Sequence, residues 1–481
     1  MNNLAFATIT DLKNKLAHKE ISREELLSYF LDRFQKYNKQ LGAALEVFDK
    51  KSILEKSSDH GSLAGIPGIL KDNISQGDRS LTCGSKILQG FVSKYDATAV
   101  KRLKAEGALL VGRANMDEFA MGASNEFSAY FKCHNPWDHE RVPGGSSGGS
   151  VASVAAGLVP WALGSETGGS VRLPAAFCGI VGLKPTYGLV SRFGLVAYAS
   201  SFDQIGIATR TVRDNAQVLS VIAGHDVSDS TTQPVERKSY DVNLNGKLPE
   251  GLTIGILDNM LNAEGMNLEV QQLIENAVKE LEKLGATIKP IKIPVIDYSA
   301  AVYFILSRAE AASNLARFDG VRYGYRDKKA VTLDEMYRRT RYNGFGDEVR
   351  FRILIGNYVL SAGHSADFYN NAKKVQRLMR AKMDEAFANV DLLLAPTHGA
   401  PAFKIGTYDQ DHLQLDLMDY FTCFVNITGV PSLAVPCGFT NDKLPTGFQL
   451  IGPQLSEELL FKVGDAYEQQ TPWHTMHPSD Y

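Results

Sequence analysis

Apolar residues at 26, 27, 30, 31 and 34 recur at the spacing of one helix face, directly after Ser22-Arg-Glu-Glu25. A serine followed three residues later by glutamate caps the first exposed N–H groups reciprocally, so an amphipathic helix is expected from that box onward. Asp96 is placed to cap a second helix carrying Val100 and Leu103, which Gly107 stops before the short strand Ala108-Leu-Leu-Val-Gly112. Further on, Leu-Thr-Ile-Gly-Ile-Leu (252–257) reads as a strand. Val270, Leu273, Ala277, Leu281 and Leu284 form a helical stripe ended by Gly285, and Thr-Ile-Lys-Pro-Ile-Lys-Ile (287–293) reads as the next strand. That strand–helix–strand unit predicts an α/β architecture. Residues 365–387 read as a helix whose Lys373, Lys374, Arg377, Arg380 and Lys382 make a solvated face. Between 141 and 185, ten glycines divide apolar segments into an alternation of loop, buried helix and buried strand, and 233–251 reads as a long surface loop.

Composition narrows the classes. A hydrophobic content of 44% with 22% charged residues suits a globular chain with a large core. The net charge of −3 offers nucleic acid no general field, so any contact with RNA must be local or made by a partner, and DNA is not expected. Five scattered cysteines without a C-x-x-C pair fit a reducing compartment, and no zinc signature stands in the chain, so no metal is expected. The first residues lack a signal-peptide pattern, and the longest apolar stretch, Val151 to Gly164, is too short for a bilayer. A cytoplasmic protein without a membrane partner is the expectation.

The chemistry concentrates in two serine loops. Residues 144–150, Gly-Gly-Ser-Ser-Gly-Gly-Ser, resemble a flexible linker, yet Pro143 and the apolar run from Val151 hold both ends. A phosphate-binding loop needs a lysine where Ser150 stands. Gly144-Gly-Ser-Ser-Gly148 does satisfy G-x-S-x-G, but that pattern also requires a histidine base, and His139, His225, His364 and His398 sit in no motif. The second loop, Gly-Ser-Glu-Thr-Gly-Gly-Ser-Val-Arg (164–172), sets Gly168 and Gly169 before Ser170, where bare backbone can bring N–H groups close to an oxyanion. Upstream, Lys71 lies among apolar residues in Gly-Ile-Pro-Gly-Ile-Leu-Lys-Asp-Asn-Ile (65–74). A desolvated lysine can lose its proton and act as a base. Nucleophile, relay hydroxyl and base are thus available without histidine. Glu166 and Asp203 stand as residues that bind this lysine or pin the loop, Asp117 and Glu118 as ties for helix ends, and Cys178 as a small buried residue.

In that order and at those separations, the three segments resemble the amidase-signature family. The resemblance implies Ser170 as nucleophile, Ser146 as a relay serine on a cis peptide, Lys71 as general base, and the backbone N–H groups of Thr167, Gly168, Gly169 and Ser170 as the oxyanion hole. It implies one domain over 1–481, with an N-terminal helical segment to about 60, a signature core over about 61–210, and one large mixed, mostly parallel β-sheet flanked by helices. Within the family, the segments 114–126, 183–206, 310–324 and 345–356 are similar to the branch that hydrolyses glutamine for tRNA-dependent amidotransferases. That likeness implies Arg352 on the substrate carboxylate, with Arg350 close by as an alternative, Asp419 on the ammonium, and Tyr303 lining the pocket. It also implies a heterotrimer with B and C subunits. In it ammonia passes to the B subunit, which holds Glu-tRNA(Gln) and uses ATP and Mg, while this chain binds no cofactor. A lysine base near pH 7.5 requires a pKa well below its usual value of about 10.4, a change worth about 4 kcal/mol. Two other readings remain open at this stage, a free-standing amidase for a small amide and a non-catalytic scaffold subunit.

Overall fold

Short apolar segments between glycine turns become eleven strands of one sheet in the computed structural model, which describes residues 4–408, 411, 414 and 417–481. In chain order they are β1 (Ala44–Val47), β2 (Pro67–Lys71), β3 (Leu109–Ala114), β4 (Trp161–Glu166), β5 (Val181–Lys184), β6 (Gln204–Thr209), β7 (Thr253–Leu257), β8 (Thr287–Ile291), β9 (Leu392–Pro396), β10 (Ser432–Phe439) and β11 (Pro445–Ile451). Across the sheet they run β1-β3-β2-β4-β6-β5-β10-β11-β9-β7-β8.

The α/β class and the mixed, helix-flanked sheet are as expected; the parallel majority is not. Four pairings are parallel (β2 with β3 and β4, β7 with β8 and β9) and six are antiparallel. The strand–helix–strand unit at 253–291 does form a parallel pair, with the helix Leu268–Lys283 between its strands. The centre departs because a five-residue connection such as 440–444, joining β10 to β11, permits only an antiparallel partner.

Local expectations fare unevenly for physical reasons. Ser22 and Glu25 cap the helix Arg23–Leu41 reciprocally, and Gly42 ends it in the left-handed conformation. Asp96 does not cap the helix Thr98–Ala105. Its carboxylate accepts from Gly77 N at 2.7 Å and from Lys104 Nζ at 2.8 Å, and Ala97 takes the cap position without a side-chain bond. The segment before residue 60 is helical except for β1, an edge strand on β3. Residues 371–387 are a regular helix preceded by one π turn, Ala366–Asn370, and its five basic residues are exposed. The stretch 233–251 contains neither helix nor strand and is anchored by buried Tyr240 and Leu244. All five cysteines are buried free thiols. Among the described residues no helix is long and apolar enough to cross a membrane, and no three metal-ligating side chains gather.

Two apolar cores lie on the sheet. One holds Trp161, Leu163, Ile205, Leu433 and Phe448; the other holds Ile69, Val111, Val154, Ala162 and Ala208. The C-terminal ends of β2 and β4, neighbours in the sheet, deliver Lys71 and Glu166 to the same place.

Candidate active site

Lys71 ends β2, an interior strand between β3 and β4, and its side chain is fully buried. Burial pushes the amine from 10.5 down to about 7, against the upward pull of Asp117, Asp203 and Glu166. None of these carboxylates forms an ion pair with it. Asp203 accepts from Thr167 Oγ1 at 2.6 Å and from Tyr198 N at 2.8 Å, Asp117 from the N–H groups of Asn125 and Phe127, and Glu166 pairs with Arg172.

Three groups surround Lys71 Nζ: Ser146 Oγ at 2.7 Å, Ser147 Oγ at 2.8 Å and the Ser165 carbonyl at 3.1 Å. The carbonyl only accepts, and Ser147 donates its own proton to that carbonyl at 3.0 Å, so towards Nζ it accepts as well. Two N–H bonds of the amine are therefore committed. In the neutral amine the third direction is the lone pair, and it faces the Ser146 hydroxyl.

The loop carrying Ser146 is held on every side. Its Gly145–Ser146 peptide is cis, Gly145 N donates to the Ala123 carbonyl at 2.7 Å, and Asp117 N donates to the Ser146 carbonyl at 3.3 Å. A side chain at Gly145 would strike the Asp117 carboxylate and the backbone nitrogens of Ser124 and Asn125, so only glycine fits. The helix Gly148–Ala155 begins directly afterwards and is buried throughout.

Ser170 meets this loop through its backbone, whose carbonyl accepts from Ser147 N at 3.2 Å. Lys71 and Ser146 are sealed, whereas Ser170 retains 5% of its exposure, so the three run from the interior outward. Among the described residues no hydrogen bond joins the hydroxyls of Ser146 and Ser170. The expected chain is continuous from Lys71 to Ser146 and open at its last step. None of the N–H groups from Thr167 to Ser170 donates to another described residue, while those of Val171 and Arg172 both go to Glu166 Oε2 at 3.0 Å.

Arg172 braces this turn to a distant part of the chain. Its guanidinium donates to Glu166 Oε1, to Gln449 Oε1, to the Thr422 carbonyl at 3.0 Å and to Asn426 Oδ1 at 2.8 Å. The segment so tied carries Asp419. A methyl group at Gly169 would overlap Thr422 Oγ1 and lie 3.1 Å from Asp419 Oδ1; one at Gly168 would lie 2.6 Å from Cζ of Tyr303. Tyr303 and Asp419 thus stand against the two glycines before Ser170. Burial raises the Tyr303 phenol well above its ordinary value, Tyr198 and Asp419 raise it further, and Arg352 opposes them.

Arg352 is buried on the inner side of the helix Asp347–Leu360, with Nε donating to Glu348 at 2.6 Å and Nη1 donating to the Tyr198 hydroxyl at 2.9 Å. Arg350 turns the other way. It donates to the Tyr342 carbonyl and pairs with Asp347, which leaves Arg352 as the arginine beside Tyr303. Glu118 accepts from Gly346 N at 2.8 Å and ties the start of that helix, as the sequence suggests; Asp117 instead organises the 123–127 turn. Glu166 and Asp203 pin the loop rather than the lysine.

Sequence reasoning missed Ser147, the Arg172 brace and its acceptor Gln449. The doubled serine was the available signal for the first. Nothing local signals a contact between residues 172 and 449.

The family model described as Amidase matches residues 25–461. The chain is 48% identical over 484 residues to the A subunit of the glutamyl-tRNA(Gln) amidotransferase of Carboxydothermus hydrogenoformans, covering 99% of each chain. It is 47% identical to the protein of the same name from Coxiella burnetii, covering 98% of this chain and 99% of the relative. Among solved structures, the A subunit of the glutamyl-tRNA(Gln) amidotransferase of Thermotoga maritima superposes with a TM-score of 0.85 at 41% identity, covering 99% of this chain and 98% of that one. The 6-aminohexanoate cyclic dimer hydrolase superposes with a TM-score of 0.86 at 27% identity over 99% of both.

Proposed function

The chain belongs to the amidase family, and from that membership we propose that it is the glutamine-hydrolysing component of a tRNA-dependent amidotransferase. One observation carries the chemistry: a buried amine at about 7 whose two N–H bonds are committed, leaving its lone pair to the Ser146 hydroxyl. Serine attacks an amide poorly unless a base removes its proton during attack. In the proposed reaction Ser170 Oγ attacks the side-chain amide carbon of glutamine, its proton passes to Ser146, and the Ser146 proton passes to Lys71. Bonds between apo catalytic groups commonly close only with substrate in place, and the open step between Ser146 and Ser170 is read in that way.

The oxyanion faces the N–H groups of Thr167, Gly168, Gly169 and Ser170, which are uncommitted among the described residues. Collapse of the tetrahedral intermediate breaks the carbon–nitrogen bond, the proton returns along the same path, and ammonia leaves. Water then attacks the glutamyl ester, its proton taking the same route, and glutamate and free Ser170 result. Asp419 beside Gly169 suits the substrate ammonium, Arg352 its carboxylate, and Tyr303 the wall between them.

Two relatives of nearly equal structural similarity carry different names, so fold similarity does not choose the substrate. The charged pair Arg352 and Asp419 favours a zwitterion over a simple apolar amide. The same reading assigns the use of ammonia to partner B and C subunits, with Glu-tRNA(Gln), ATP and Mg held mainly by the B subunit, no cofactor on this chain, a cytoplasmic location and a single domain over 1–481. A glutamine-analogue electrophile tests it: peptide mapping should find the adduct on Ser170 and free glutamine should protect. Labelling elsewhere, or no protection, would reject the assignment.

A further inference from the structure

Glu118 is a buried carboxylate, and Arg350 nearby pairs with Asp347 instead of with it. Its two oxygens go to separate segments. One accepts from the Ser85 hydroxyl, the other from Gly346 N at 2.8 Å. Gly346 is the cap residue of the helix Asp347–Leu360, which has neither half of a capping box of its own: glycine stands at the cap and Val349 three residues on. Glu118 therefore supplies, from 228 residues away, the acceptor that a glutamate in the first turn would give the cap nitrogen. The contact is closely fitted. A methyl group at Gly346 would lie 2.5 Å from Glu118 Oε2, and beside it the rings of Phe119 and Phe345 meet at 5.6 Å.

One further step reaches the arginine of the substrate site. The turn that Glu118 holds carries Glu348, which accepts from Arg352 Nε at 2.6 Å, and Arg352 stands about 9 Å along the axis from Gly346. On the other side, Asp117 N donates to the Ser146 carbonyl at 3.3 Å. Adjacent residues thus bear on the relay serine and on the helix of Arg352. The next two, Phe119 and Ala120, have φ of 51° and 60°, a left-handed conformation that residues with a Cβ resist. Contacts on both sides hold the turn to this course.

We propose that Glu118 is a positioning residue that fixes Arg352 relative to Ser146, and that this spacing selects amides carrying an α-carboxylate. The inference rests on the functional reading above and deepens it. A tie that served folding alone would support every substrate alike. A gauge between the amide end and the carboxylate end matters only to a substrate that has both.

The test uses the full chain co-expressed with the B and C subunits of the same organism. It compares ammonia release from glutamine with release from 4-aminobutanamide, which is glutamine without its carboxylate. Wild type should prefer glutamine in kcat/KM by about a hundredfold or more. Glu118→Met keeps the side-chain length and removes both acceptors; it should cut that preference by about tenfold or more, through KM for glutamine. Glu118→Gln should stay within about threefold of wild type. Its oxygen serves Gly346 N, and its nitrogen donates to Ser85 Oγ, whose proton turns to the Gly344 carbonyl 3.3 Å away. In an Arg352→Ala background, Glu118→Met should change the preference no further. Should Glu118→Met fail to fold by circular dichroism, Glu118→Asp, one carbon too short to span both partners, replaces it and should cut the preference by about threefold or more. Wild-type preference in the folded Met variant, or in the Asp variant replacing it, overturns the proposal. Equal loss on both substrates does so too, as does a Gln variant as poor as Met or a further loss in the absence of Arg352. Wild type that leaves glutamine intact, or does not prefer it, would instead bring down the functional reading and this inference with it.

Discussion

A base that works only when uncharged makes the rate a titration of that base. With Lys71 at about 7, kcat/KM for glutamine should fall about tenfold per pH unit on the acid side of 7 and level off above it, read as ammonia release. Lys71→Arg keeps a positive charge at every accessible pH and should be inactive throughout, whereas an acid limb surviving in that variant would assign the titration elsewhere. Ser170→Ala should abolish glutaminase activity, and Ser146→Ala should cost about a hundredfold or more, as loss of a proton relay does. The meeting of Lys71 with Ser146 was legible only from the order and separation of three segments, since the first serine loop taken alone also reads as a linker or a phosphate loop. The part played by Ser147 was not, since two adjacent serines are chemically alike and only the direction of the backbone decides which hydroxyl faces the lone pair of Lys71 and which shares the Ser165 carbonyl.

At the scale of elements, two glycines and one buried ion pair hold the site together. Gly169→Ala should lower kcat by at least a hundredfold and lower the thermal midpoint as well, because the added methyl overlaps the hydroxyl of fully buried Thr422 and lies against Asp419; wild-type turnover would refute the packing argument. Arg172→Ala removes one member of a fully buried pair and leaves Glu166 with two backbone N–H donors but no cation, which should cost about 3–5 kcal/mol of stability in denaturant unfolding. Helices with reciprocal caps or a clean stripe were legible from local sequence, as Arg23–Leu41 and Leu268–Lys283 illustrate. Asp96 was misread because Lys104, on the last turn of the same helix, draws its carboxylate away from the cap. Strand direction across the centre of the sheet is settled by pairings between remote segments, about which a local pattern is silent.

The whole molecule turns on β5 and β10. They join the strands that precede the long loop 233–251 to those that follow it, so neither group has a closed sheet alone. Proteolytic nicking within that loop should therefore leave two fragments that co-elute in native buffer and separate only in denaturant, and separation in native buffer would argue for two independent domains. The same pairing has a consequence for biosynthesis. On the ribosome β5 emerges long before β10 has been translated, and at about 5–20 residues per second its unpaired edge waits on the order of ten to fifty seconds for its neighbour. During that interval the nascent chain offers an apolar, hydrogen-bond-hungry border to any passing strand, and a chaperone that shields exposed edges is what its translation calls for.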